Sequence, residues 1–220
     1  MAEYKEPDVG LGNIPDVVRA RMMKAKDGFP YGGLWVFTGA QGAGKTLLLM
    51  HMVRQIHEEY SKALIVTNIS VFGIPCIPYK GIEDFDKYVN GSDGVIFIID
   101  EIQALFSSLE SAKMPLSQVT VWCQNRKNRR LILGTTQRYT RMAKPVREQV
   151  TWHYECRRPL LWVLYRYRVL DGAKYDDAGK YVLDEDEKAP QYKIYVPALS
   201  SMLMYNTLEV VHRVDEKEGE

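Results

Sequence analysis

Residues 39–46 read GAQGAGKT, a complete GxxxxGKT loop set between the apolar, β-rich run LWVFTG (34–39) and a stretch of helical length and periodicity, TLLLMHMVRQIHEEY (46–60). A glycine-rich loop that joins a strand to a helix turns several backbone N–H groups toward one point at a helix N-terminus, where oxyanions bind. This order implies a phosphate cradle made of Gly39, Ala40, Gln41, Gly42, Ala43, Gly44, Lys45, Thr46 and Leu47. In it Lys45 reaches the β and γ phosphates, and Thr46 offers its hydroxyl to Mg²⁺. ATP and Mg²⁺ are the expected ligands.

Further apolar runs follow at ALIVTN (63–68), GVIFIIDE (94–101) and LILGTTQ (131–137). Between them lie helix-compatible stretches at 81–90, at 102–109 and at 115–128, the last opening on Pro115. Uniformly apolar strands alternating with helices predict a parallel sheet covered on both faces. After Val150 the pattern changes to aromatic and β-branched residues with period-2 alternation, in VTWHYECR and LLWVLYRYRVLDG, which predicts an antiparallel hairpin at the sheet's edge. The turn signal DDAG (176–179) then marks an exposed hairpin or flap, and LSSMLMY a short helix before a charged tail. The fold class expected is therefore α/β: a three-layer P-loop NTPase with a mainly parallel central sheet and an antiparallel β-hairpin extension near the C-terminus. The expected domains are an N-terminal arm (1–33) with one helix-compatible stretch at 16–26, an ATPase core (34–156), and the hairpin extension with an acidic tail (157–220).

Two carboxylates close the run at 94–101. Asp100 is the natural second Mg²⁺ ligand of such a site, and Glu101 beside it can orient and deprotonate an attacking water. That pairing favours hydrolysis of ATP over transfer to a second small substrate. Gln137 closes the next strand, at the edge where a parallel sheet presents its ligands, and is expected to sense the γ-phosphate. Thr135, Thr136 and Gln137 also fit ordinary turn residues. With an additional strand between the loop and the Asp-Glu pair, and Glu101, the chain resembles the additional-strand, catalytic-glutamate group of P-loop ATPases, which commonly work in rings and take an arginine from the neighbouring subunit.

The motifs TGAQGAGKT (38–46), VTNI (66–69), IIDEIQALF (98–106), an arginine-bearing helix (119–130), LILGTTQR (131–138) and PVREQV (145–150) stand in an order that resembles the zonular occludens toxin-like ATPases. YNTLE (205–209) is similar to a short tail motif of the same proteins. These are assembly ATPases of filamentous phages, related to the FtsK and HerA type of DNA-pumping motors. The resemblance covers about residues 34–156 and implies ATP-driven movement of DNA. It gives Lys45 and Thr46 to phosphate and Mg²⁺, Asp100 to Mg²⁺, Glu101 to water activation and Gln137 to the γ-phosphate. Filamentous-phage members usually continue into a transmembrane helix; here no apolar run approaches the ~18 residues a span needs. A soluble genome-packaging ATPase of a phage or mobile element, in the host cytoplasm or with the virion, is the better expectation. Its partners would be DNA, further copies of itself in a ring, and capsid or membrane assembly proteins.

The formal net charge of +1 hides a partition. Residues 119–170 carry 12 basic side chains against Glu148 and Glu155 only, while the segments before and after are net acidic. The run NRKNRR (125–130) suits DNA phosphates, an arginine finger reaching a neighbour's γ-phosphate, or a solvated helix end. Arg130, Arg141 and Arg147 are the finger candidates. Alternation puts Arg166 and Arg168 on one face and Tyr165 and Tyr167 on the other, an inward aromatic and an outward basic face. Cys76, Cys123 and Cys156 have no disulfide or zinc spacing and read as reduced thiols. The runner-up readings are an AAA+-like or plasmid-transfer ATPase acting on DNA or protein, and a nucleotide-binding switch or scaffold without turnover.

Overall fold

The computed structural model describes residues 28–104, 129–157, 164–197 and 199–204. The apolar run before the glycine loop is β1 (Gly33–Thr38), and the periodic stretch after it is α1 (Lys45–Glu59). The next buried run is β2 (Leu64–Thr67). The proline-rich loop beyond it supplies a two-residue strand, β3 (Ile77–Pro78), that the sequence pattern does not announce. β3 lies at the sheet's outer edge, where a proline removes no ladder hydrogen bond from a second neighbour. The helix expected over 81–90 contracts to α2 (Asp84–Lys87), because Tyr88 turns to extended backbone. Then come β4 (Val95–Ile99), β5 (Arg130–Thr136), α3 (Lys144–Arg147), β6 (Val150–Arg157), β7 (Tyr165–Asp171), β8 (Lys193–Tyr195) and α4 (Leu199–Met202). Of the helix expected over 102–109 the structure holds one 3₁₀ turn, Ile102–Ala104. Its remainder, like the helices expected over 16–26 and 115–128, lies outside the described residues.

Among the described residues, eight strands form one sheet in the order β3-β2-β4-β5-β1-β6-β7-β8. β3 through β6 in that order pair in parallel, and β6-β7 and β7-β8 pair antiparallel. The hairpin extension is thus present, but β6 is an interior strand bonded to β1, and the outer edge belongs to β8. Parallel strands must all end on one side, so the carboxyl ends of β1, β2, β4, β5 and β6 share an edge with the glycine loop.

Alternation along β1 divides the core in two. Trp35 and Phe37 face α1, whose Leu48, Leu49, Met50 and Val53 are wholly buried against Ile96, Ile98, Leu131, Leu133, Tyr154 and Tyr167. Leu34 and Val36 face the other way, against Phe97, Ile99, Phe85, Tyr139, Met142 and Val146. Burying each such large side chain stabilises the fold by roughly 1.5–3 kcal/mol, so the strand carrying the loop is anchored from both sides. The aromatic face expected of β7 is confirmed: Tyr167 is buried against Tyr154. No helix among the described residues is long and apolar enough to cross a membrane.

Candidate active site

The loop after β1 passes into α1 through Gly44, which is the N-cap in left-handed backbone and carries no side-chain cap. The first N–H groups of α1 therefore point toward the cradle with no side chain competing for them. Lys45 Nζ donates to Ala40 O at 3.3 Å, folding the ammonium across the loop. Tyr165, at the start of β7, packs its ring on Gly44, where an added Cβ would lie 2.5 Å from Tyr165 Cδ1.

Opposite this loop, Asp100 follows β4. Its Oδ1 accepts from Thr46 Oγ1 at 3.1 Å and from Thr135 Oγ1 at 2.6 Å. Asn68 clamps the Asp100 backbone twice: Nδ2 donates to Asp100 O at 3.0 Å, and Asp100 N donates to Asn68 Oδ1 at 2.8 Å. The Thr46 hydroxyl and Asp100 carboxylate supply the hard oxygen donors that Mg²⁺ takes, so the residues present fit that ion. No group of three or more His, Cys, Asp or Glu gathers among the described residues, so water and phosphate oxygens would complete the shell.

Glu101 has φ 55°, and its N–H donates to Thr135 Oγ1 at 3.0 Å. Left-handed backbone at a non-glycine residue costs of order 1–3 kcal/mol and breaks the strand's alternation, re-aiming the side chain. Its Oε2 accepts from Gln103 Nε2. Thr135 thus holds both members of the acidic pair from within a strand where it is fully buried. Neither Thr135, Asn68 nor Gln103 stands out in the sequence as a site residue.

Gln137 emerges exposed after β5, and its Oε1 accepts from Arg141 Nη1 at 3.0 Å. Arg147 is held by backbone oxygens, with Nη2 donating to Asp177 O at 3.1 Å and Nη1 to Thr140 O and Met142 O at 3.4 Å. The three arginines singled out as fingers therefore differ. Arg141 is exposed on the loop carrying Gln137, and Arg147 is half-buried beneath the flap. Arg130 opens β5 at the end away from Gln137 and is 2% exposed.

Thr38, the last residue before the loop, hydrogen-bonds His153 Nε2 at 2.6 Å, and His153 Nδ1 bonds the Tyr175 hydroxyl. Tyr139 stacks on both rings, centroid to centroid 4.7 Å from His153 and 4.2 Å from Tyr175. Burial, the dominant cause, pushes His153 down to about 3, so it sits neutral and passes one hydrogen bond on either side. An unfolded chain takes up that proton near pH 6.5, whereas the folded one refuses it down to about pH 3. The stability His153 contributes is complete above pH 6.5 and lost as pH falls, by about 2 kcal/mol at pH 5. Denaturant unfolding at pH 7 and pH 5 should show the difference shrinking by that amount in His153→Gln. An equal pH loss in both proteins removes His153 as its source. The Cys156 thiol, also buried, is pushed up to about 12 and is not a nucleophile at neutral pH.

A cavity of about 710 Å³ opens at this edge, lined by Gly39, Ala40, Gln137, Arg157 and Arg166 among others. Strand, glycine loop, helix, threonine hydroxyl and Asp-Glu pair in this arrangement define a P-loop nucleoside triphosphatase. The model of the ATPase family associated with various cellular activities (AAA) matches residues 35–158, more than half the chain, and the protein belongs to that family. It is an ATP-hydrolysing enzyme. No curated protein matches the chain by sequence. Among solved structures, the N-terminal domain of zonular occludens toxin from Neisseria meningitidis is similar, with TM-score 0.59 and 18% identity over 79% of this chain and 98% of that one. The genome packaging NTPase B204 from Sulfolobus turreted icosahedral virus 2, in complex with ATP-gammaS, has TM-score 0.51 and 15% identity over 75% and 97%. The resemblance drawn from the motifs thus holds as a shared fold.

Proposed function

We propose that this ATPase moves DNA, as the packaging or assembly motor of a phage or mobile element, and that it works as a homo-oligomeric ring. The observation that carries the reading is that Arg138, Arg141 and Arg157, three members of the basic segment, are exposed at the edge that holds the glycine loop and Gln137. A surface that meets DNA or a neighbouring subunit there would feel the γ-phosphate directly. The likeness to a viral genome packaging NTPase supports the same reading.

In this mechanism Lys45 and the loop N–H groups hold the triphosphate, and Thr46 and Asp100 would hold Mg²⁺, which would supply positive charge to the phosphates. Glu101 takes the proton of the attacking water, and Gln137 orients that water or the γ-phosphate. Arg141 or Arg147 serves a neighbour's site as the finger, a contribution of roughly 10³–10⁵ in rate.

The test is steady-state ATP hydrolysis with and without DNA, alongside mass measurement with ATP. DNA should raise turnover, the stimulation should fade as salt rises, and a multimer should be present. Hydrolysis indifferent to DNA at low salt would reject DNA movement. The second reading, an AAA-like ATPase that acts on protein, would then take its place.

A further inference from the structure

The β6-β7 ladder sets two adjacent cross-strand pairs on one face, and they differ in sign. Glu155 stands opposite Arg168, and Arg157 stands opposite Arg166. The first pair is complementary: Arg168 Nη2 lies 2.5 Å from Glu155 Oε2, and Tyr192 OH donates to Glu155 Oε1 at 2.7 Å. Arg157 Nε shares that Oε1 at 3.5 Å. None of these three partners is Arg166. The second pair sets two arginines at directly opposed positions, and like charges so placed destabilise a ladder. Arg166 forms no ion pair among the described residues, and its Nε is buried without a hydrogen-bond acceptor. A desolvated cationic donor without an acceptor costs more than a neutral one.

Both arginines, with Arg138, line the same cavity as Gly39, Ala40 and Gln137. Arg157 stacks on the Tyr192 ring at 4.6 Å, which occupies its face and, with Nε turned to Glu155, leaves its Nη N–H groups for a planar or tetrahedral oxyanion. A doubly charged anion between Arg157 and Arg166 would convert the like-charge pair into two charge-assisted contacts.

We propose that this groove is an oxyanion subsite that receives inorganic phosphate, the product cleaved from ATP, on its way out. Hydrolysis bonds the water oxygen to Pγ and breaks the bond from Pγ to the β–γ bridging oxygen, whose electron pair stays with ADP while the water proton passes to Glu101. The orthophosphate then lies between the loop that held it and a wall with surplus positive charge. Its departure is slowed there, so phosphate release becomes a step that Arg166 governs.

The test uses the full chain with ADP at saturation, so that the loop is filled, and titrates inorganic phosphate by calorimetry and by ³¹P line broadening. Saturable binding is expected, weakened roughly ten- to hundredfold in Arg166→Met and partly restored in Arg166→Lys. Arg138→Gln, on an exposed loop, should weaken it less, and keeps the question answerable if the β7 variants misfold. No saturable phosphate binding to the ADP-loaded wild type, or equal affinity in wild type, Arg166→Met and Arg138→Gln, would overturn the proposal. Short single- and double-stranded oligonucleotides are added as competitors. Phosphate binding that they leave unchanged supports the product subsite; displacement by them assigns the groove to backbone phosphates and overturns it. ATP turnover in the same wild-type preparation separates failure of this subsite from failure of the enzyme.

Discussion

Glu101→Gln should abolish ATP turnover, by roughly 10²–10⁴-fold, while ATP binds as tightly as to the wild type. The substitution keeps side-chain length and removes only basicity. Nothing that holds the residue in place depends on its charge, since the φ of 55° and the N–H bond to Thr135 Oγ1 belong to the backbone. The amide can still meet Gln103 Nε2 through its own oxygen. Asp100, Thr46 and the loop, which would hold Mg²⁺ and the triphosphate, are bonded to one another without Glu101. The expected signature is therefore a fall in kcat with an unchanged Kd for a fluorescent ATP analogue. Wild-type turnover in the variant would mean that another group takes the proton of the attacking water.

The glycine loop, the parallel strands and the acidic pair were legible because each depends on local order: an apolar run ending in a polar group, or a fixed spacing of glycines and lysine. Thr135 was not legible as a site residue, because a threonine in a buried strand satisfies β-branched packing whether or not it holds a carboxylate. Its role appears only when β5 pairs with β4 and brings its hydroxyl to Asp100. The link from Thr38 through His153 to Tyr175 joins residues far apart in sequence, so no window along the chain contains it. The basic segment shows the same limit. Alternation assigned Arg166 and Arg168 to one face correctly, yet could not tell that one would meet Glu155 and the other a second arginine. Charge counting treated Arg130 like Arg141, though one is buried at the start of β5 and the other is exposed beyond its end.

Gly39→Ala should lose both stability and ATP binding, whereas Gly42→Ala should lose far less stability, although both glycines belong to the loop. Gly39 has φ 150°, and a Cβ there would lie 2.4 Å from Cys156 O and 3.0 Å from the Ala43 Cβ. The first of these neighbours is backbone of β6, which cannot rotate away as a side chain could. Thr38 pairs with Glu155 one residue earlier in each strand, so relief requires prising the loop from β6 at the point where β1 ends. Overpacking and an unfavourable φ together cost roughly 2–5 kcal/mol. In a domain of this size that is a fall in Tm of about 5–15 °C. Gly42 has φ 75°, but a Cβ there meets nothing within 4 Å, so its cost is that of left-handed backbone alone, about 1–2 kcal/mol. Calorimetric unfolding of the two variants, with and without ATP, compares close approach with backbone conformation directly. Equal Tm values for Gly39→Ala and Gly42→Ala would mean that the contact with Cys156 does not set the position of the loop.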